Sequence, residues 1–120
     1  MTASAWRRAF FCSLSLSMVC CGSWGWQPPP AESPTTATAT ATAHYAYYCA
    51  DCHGPAMDGG MASSLIDGRW DYGASDSAIF ASIAVGIPED GMPGFGAVMD
   101  AAQIDALVRL MREAERAQSH

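Results

Sequence analysis

Apolar side chains recur at helical spacing in the second half of the chain, and they predict two helices there. The first runs from about Asp76 to Val85, because Ser75 can cap its start and Gly86 can end it. Its apolar stripe consists of Ile79, Phe80 and Ile83. One side of this helix is therefore expected to face a hydrophobic core.

The second predicted helix begins at Asp100, which forms an approximate capping pair with Gln103. Its apolar face consists of Ile104, Leu107, Val108 and Met111. A short additional helix is compatible with residues 44–49. Because no segment alternates convincingly between polar and apolar residues, the pattern predicts an all-α fold of short helices.

The N-terminal segment has the pattern of a targeting sequence. Arg7 and Arg8 are followed by an apolar stretch, so residues 1–26 are predicted to be an export signal. If the segment is retained, it becomes a membrane or lipid anchor, with Cys20 and Cys21 as the candidates for lipid attachment. An exported protein with this N-terminus is expected in the periplasm, either free or tethered to the membrane.

A linker is predicted between this segment and the folded domain. Residues 27–43 contain three consecutive prolines and then an alternation of Thr and Ala, which presents no apolar face to bury. The domain is therefore expected to comprise residues 44–120. A core of this size buries little apolar surface, and a large apolar cofactor would complete it.

The charge of the domain excludes some partners. From residue 44 onward four arginines stand against eleven acidic residues with no lysine, which gives a formal charge of −7. Such a surface repels nucleic acid and anionic lipid. The expected partners are proteins whose contact surface is basic or nearly neutral, unless the acidity serves only solubility.

The most informative motif is the run Cys49-Ala50-Asp51-Cys52-His53. Two thiols at this spacing can add to the two vinyl groups of a haem, and the adjacent imidazole then lies under the iron. The motif predicts one haem c bound covalently through Cys49 and Cys52, with His53 as a metal ligand. A stray dithiol is the alternative interpretation.

A second ligand is expected from one of the methionines, since a thioether opposite the histidine raises the reduction potential. Met92 is the main candidate because its loop is stiffened by Pro88 and Pro93 and lies far enough from His53 to wrap around a haem edge. The alternative is that Met92 is an exposed loop residue. Other methionines in the domain are Met57, Met61, Met99 and Met111, and the histidines His44 and His120 are weak candidates.

Two motifs give the chain a resemblance to class I c-type cytochromes over about residues 44–115. They are Tyr48-Cys49-Ala50-Asp51-Cys52-His53-Gly54 and Gly91-Met92-Pro93-Gly94-Phe95-Gly96. Residues 64–73 more narrowly resemble periplasmic cytochromes that accept electrons from quinoprotein alcohol dehydrogenases, and haem domains of high-affinity haem-copper oxidases. The resemblance implies a fold of short helices around one haem, thioether bonds at Cys49 and Cys52, and His53 and Met92 as axial ligands.

One departure from the family concerns the histidine. In many relatives a proline carbonyl shortly after the haem motif accepts a hydrogen bond from the ligating imidazole. Residues 59–65 contain no proline, so the sequence does not identify the carbonyl that accepts a hydrogen bond from His53.

The resulting functional hypothesis is an electron carrier rather than an enzyme. It would shuttle single electrons in the periplasm between a dehydrogenase and a terminal oxidase. A haem-based sensor or peroxidase-like enzyme with a displaceable methionine is the alternative. A thiol-disulfide oxidoreductase is a third interpretation, but it requires the two cysteines at the start of a helix that follows a strand.

Overall fold

The computed structural model describes residues 33–120, and most of their regular structure is helical. The helices are α1 (Pro34–Tyr48), α2 (Ala50–His53), α3 (Asp76–Val85) and α4 (Ala101–Gln118), with one 3-10 turn at Pro88–Asp90. No β-strand forms in this part of the chain. The prediction of an all-α fold is confirmed, whereas the predicted export segment at residues 1–26 lies outside the described residues.

Helices α3 and α4 begin at the predicted caps. The Ala78 amide donates a hydrogen bond to the Ser75 hydroxyl at 3.2 Å. At the start of α4, Asp100 and Gln103 each accept a hydrogen bond from the other's backbone amide, and both distances are 2.9 Å. These local bonds satisfy amides that the first turn of a helix leaves without intrahelical partners.

The core lies where α1 and α3 both pack against α4. The most deeply buried side chains are Ala41, Ile104 and Leu107, which are at most 1% exposed. The rest of the predicted face of α4 is buried as well, namely Val108 and Met111. On α3 the buried residues are Ile79 and Ile83, while Phe80 is half-buried. Helix α4 therefore supports both of its neighbours.

The prediction of a linker up to residue 43 is wrong for residues 34–43, which form the first part of α1. Pro34 suits the first turn because its missing amide hydrogen has no partner there, and alanine is the best helix former. The hydroxyl of Thr38 donates back to the Pro34 carbonyl at 3.0 Å. Ala41 is completely buried, so α1 begins well before the expected domain boundary at His44. The remainder of the predicted linker, 27–32, lies outside the described residues.

A pair of substitutions tests this packing. Ala41→Asp should lower the free energy of unfolding by about 3 kcal/mol or more, because it places a carboxylate in the core without a partner. Ala39→Asp carries the same helix-propensity change at an exposed position of α1 and should cost about 1 kcal/mol or less. Urea unfolding of the haem-loaded full-length variants gives both values. Equal losses would mean that residues 34–43 do not pack as described.

Candidate functional site

A cavity of about 660 Å³ opens between α2, α3 and the two loops that follow them. All four predicted site residues line it, namely Cys49, Cys52, His53 and Met92. The first three come from the junction of α1 and α2, whereas Met92 comes from the segment after α3. Tertiary folding therefore brings together residues that are about 40 positions apart in the chain.

Cys49 lies at the junction between α1 and α2. Its amide donates to the Tyr45 carbonyl at 2.9 Å, and its own carbonyl accepts from the His53 amide at 3.0 Å. The Cys49 side chain is buried and that of Cys52 is exposed, and neither forms a disulfide. This junction keeps both sulfurs and the imidazole on the wall of one cavity.

Burial, followed by the nearby Cys52, raises the pKa of the Cys49 thiol to about 11. A thiol-disulfide oxidoreductase depends on a thiol whose pKa is lowered, commonly at the start of a helix. The first cysteine of this motif does precede α2, but it follows the long helix α1 rather than a strand, and the pKa of its thiol is raised. Both properties argue against the dithiol interpretation.

His53 is oriented by a backbone carbonyl. Its Nδ1 lies 2.9 Å from the Ser63 oxygen, so the tautomer with hydrogen on Nδ1 donates to that carbonyl and leaves Nε2 free to bind a metal. The Ser63 carbonyl is thus the acceptor for His53 that the sequence, with no proline in residues 59–65, did not identify. No sequence signal pointed to it, because the acceptor is a main-chain oxygen that any residue could supply.

The loop after His53 is tied back onto α2. The Ala62 amide donates to the Cys52 carbonyl, and the Gly59 amide donates to the His53 carbonyl, both at 2.9 Å. Gly54 has φ +81°, and a Cβ there would lie 2.6 Å from the Gly59 oxygen. Only glycine fits this position without moving the loop that carries Ser63.

Tyr45 also supports this wall from inside the core. It is 3% exposed, and its hydroxyl donates to the Gly54 carbonyl at 2.6 Å. Burial is the main cause that raises the pKa of the Tyr45 phenol to about 12. The sequence did not reveal that the Tyr45 hydroxyl holds the turn after His53.

Met92 lies at the end of a tight turn. Ile87 and Met92 exchange backbone hydrogen bonds of 2.9 and 3.1 Å, and Gly91 between them has φ +79°. The Met92 side chain is half-buried and faces the cavity. The turn therefore presents a thioether from a segment separate from the one that holds His53.

The other methionines of the described residues have different surroundings. Met57, Met99 and Met111 are buried in the core, and Met111 also reaches the cavity. Met61 lines the cavity but is 83% exposed and belongs to the loop tied to α2. His44 and His120 do not line the cavity. Among these candidates, Met92 alone combines partial burial in the cavity wall with a position on the segment after α3.

Trp70 and Tyr72 line the cavity, and polar groups hold both of them. The Trp70 indole donates to Glu115 at 3.4 Å, and the Arg112 guanidinium lies 5.2 Å from its ring centre. Arg112 also pairs with Asp76 and Glu115, each at 2.9 Å, and donates to the Ala74 carbonyl. This arginine therefore connects the loop of Trp70 to α3 and α4, a role that the sequence did not indicate.

Comparison with known proteins identifies the family. A profile of the family described as "Cytochrome C oxidase, cbb3-type, subunit III" matches residues 36–111, which is more than half of the chain. The chain belongs to this family of c-type cytochromes. No curated protein matches the chain significantly. The structure of the cytochrome is similar to that of "c-type cytochrome NirC", with a TM-score of 0.58 and 22% identity over 71% of this chain and 96% of the other. The expected cytochrome c fold is thereby confirmed.

The cavity of the cytochrome suits a haem. A haem needs an apolar slot, and Leu65, Ile79, Ile83 and Phe95 supply aliphatic and aromatic walls. Two cysteine sulfurs line this cavity together with an imidazole and a thioether. The cysteines are suited to covalent attachment of a haem c, and an imidazole with a thioether is a donor pair for low-spin haem iron. Within residues 33–120 no helix is both long and apolar enough to cross a membrane.

Tyr45→Phe tests the support behind His53. Loss of the hydrogen bond to Gly54 should lower the free energy of unfolding by about 1 kcal/mol near pH 7. The raised pKa of Tyr45 adds a pH dependence: the unfolded phenol ionises near 10, and the folded phenol near 12. In the parent protein, the contribution of the Tyr45 phenol to the free energy of unfolding is therefore complete below pH 10, and it is lost as the pH rises toward 12.

The difference in free energy of unfolding between the parent and Tyr45→Phe should therefore decrease from pH 10 to pH 12. Tyr72 also has a raised pKa, but it is present in both proteins and does not affect the difference. Urea unfolding of the two haem-loaded proteins at several pH values measures the gap. A gap that stays constant from pH 9 to pH 11.5 would contradict the role assigned to the buried phenol.

Proposed function

We propose that this cytochrome is a single-haem electron carrier. Cys49 and Cys52 would hold one haem c through thioether bonds, with His53 and Met92 as the axial ligands. The observation that carries the proposal is that these four side chains, drawn from two separate segments, line one apolar cavity. Bound haem supplies a reversible one-electron couple between ferrous and ferric iron.

The residues around the cavity have separable roles. The Ser63 carbonyl orients His53 and makes its imidazole a better electron donor to a metal. A methionine thioether opposite an imidazole favours ferrous iron and raises the potential. Leu65, Ile79 and Ile83 line the site with aliphatic groups that exclude water. None of these groups makes or breaks a substrate bond, which fits electron transfer.

The setting in the cell is part of the proposal. The N-terminal segment 1–26 supports export to the periplasm, with a membrane tether if it is retained. The redox partners would be a dehydrogenase as donor and a terminal oxidase as acceptor, and the family match supports an oxidase on the acceptor side. The described domain has a charge of −7, so a basic or neutral contact surface on the partner is favoured.

Met92→Ala tests the ligand assignment. The pyridine haemochrome spectrum should still show one covalent haem, while the near-infrared Met-to-iron band disappears, the potential falls and the iron binds added cyanide or carbon monoxide. Met61→Ala is the matched control, because Met61 lines the same cavity but is exposed on the loop tied to α2. Survival of the band in Met92→Ala, or its loss in Met61→Ala, would refute the assignment.

A second test concerns the partner. If opposite charges steer the encounter, the association rate with the physiological donor should fall as salt rises, because the Debye length shrinks from about 10 Å at 0.1 M to about 3 Å at 1 M. Stopped-flow reduction across this range measures the rate. A flat or rising rate would eliminate steering and leave the acidity as a solubility property.

A further inference from the structure

The segment that carries Met92 is held firmly at its C-terminal end. The Phe95 amide donates to the Ile83 carbonyl at 2.9 Å, and the Gly96 amide donates to the Ala84 carbonyl at 3.0 Å. Gly94 lies so close to the Val85 backbone that a Cβ would not fit. Residues 94–96 are therefore attached to the last turn of α3, and they cannot shift without breaking backbone hydrogen bonds.

The turn at residues 87–92 of the same segment is held by a side-chain hydrogen bond instead. The Tyr72 hydroxyl donates to the Asp90 carboxylate at 2.6 Å. Among the hydrogen bonds of residues 33–120, this is the only one in which a side chain of segment 86–96 takes part. Tyr72 belongs to the loop between α2 and α3, so the bond joins two walls of the cavity that are separate in the chain.

Asp90 is mechanically coupled to Met92. The two residues lie in one closed turn, because Ile87 and Met92 exchange backbone hydrogen bonds of 2.9 and 3.1 Å around it. A Cβ on Gly91 would meet nothing within 4 Å, so packing does not hold this part of the turn. Movement of Asp90 away from Tyr72 would therefore take Met92 with it.

The hydrogen bond of the Tyr72 phenol opposes electrostatic repulsion between nearby carboxylates. Asp71 adjoins Tyr72 in the chain and Glu89 adjoins Asp90, so the hydrogen bond brings two acidic stretches near each other. The bond to Asp90 is the main cause that raises the pKa of the Tyr72 phenol, and the charges of Asp90, Glu89 and Asp71 add to it. Like charges favour separation of the loop with Asp71 from the turn with Glu89 and Asp90. A neutral donor bound to an ionised acceptor opposes that separation, and such a charge-assisted bond is stronger than a neutral one.

We infer that the Tyr72 hydroxyl is a positioning group for Met92: by binding Asp90, it holds the turn against the opposite loop and slows withdrawal of the thioether from the cavity. The inference rests on the proposed function, in which Met92 is an axial ligand. Tyr72 itself does not bind the iron. Its removal should leave the methionine bound at equilibrium but release it more often.

The test is ligand exchange in the ferric, haem-loaded, full-length protein. Imidazole binds only when Met92 has left, so at high imidazole the observed rate approaches the rate of methionine release. Tyr72→Phe should raise this limiting rate about five-fold, which corresponds to the loss of one partly solvated hydrogen bond. The Met-to-iron band should remain. Tyr47→Phe is the matched control, because Tyr47 is 78% exposed and does not line the cavity.

A double-mutant cycle separates this role from a general loss of packing. Asp90→Ala should raise the limiting rate as much as Tyr72→Phe, and the double variant should be no faster than either single variant. Additive increases, or a Tyr72→Phe rate equal to that of the parent, would overturn the inference while leaving Met92 as ligand. Retention of the Met-to-iron band by Met92→Ala would overturn both the ligand assignment and this inference.

Discussion

The position of the haem motif depends on the packing of α1 against α4. Ala41 and Leu107 are fully buried, and the small side chain of Ala41 allows a close approach between helices. Because the chain passes from α1 through Cys49 directly into α2, the orientation of α1 sets the direction of His53. Helix α4 also packs on α3, which carries the Met92 segment. One helix therefore supports both walls of the cavity.

The two walls differ in how they are held. The wall with His53 is fixed by a buried phenol, a main-chain acceptor and a glycine that no other residue can replace without strain. The wall with Met92 has strong backbone attachments at its end but one exposed side-chain bond at its tip. Under the proposed function, a fixed imidazole and a less restrained thioether would make ligand exchange on the methionine side the easier process.

Some charged residues form structural contacts around the cavity, whereas most of the others are exposed on the surface. Arg112 is one of four arginines in the described domain, and its ion pairs and contact with Trp70 commit it to holding the cavity wall. Asp90 is similarly committed to Tyr72. Most of the other acidic side chains are exposed, so the net charge of −7 acts mainly on approaching molecules. Such a surface favours partners with basic or neutral contacts.

Features that depend on neighbouring residues were determined by the sequence itself. The spacing of Cys49, Cys52 and His53 predicts haem attachment, and the caps at Ser75 and Asp100 locate two helix starts. Each rests on contacts within about one helical turn, and such contacts can be read from residue order.

Features that depend on distant segments were decided only by the tertiary structure. The Thr/Ala tract has no amphipathic pattern, yet it forms the first part of α1, where Ala41 is buried, and α1 packs against α4. The acceptor for His53 is the Ser63 carbonyl, which became identifiable only once the loop had folded back on α2. The same holds for Tyr72 and Asp90, which are 18 residues apart. Main-chain acceptors and cross-loop partners leave no signature in residue type, because their identity is set by which backbones meet in the folded chain.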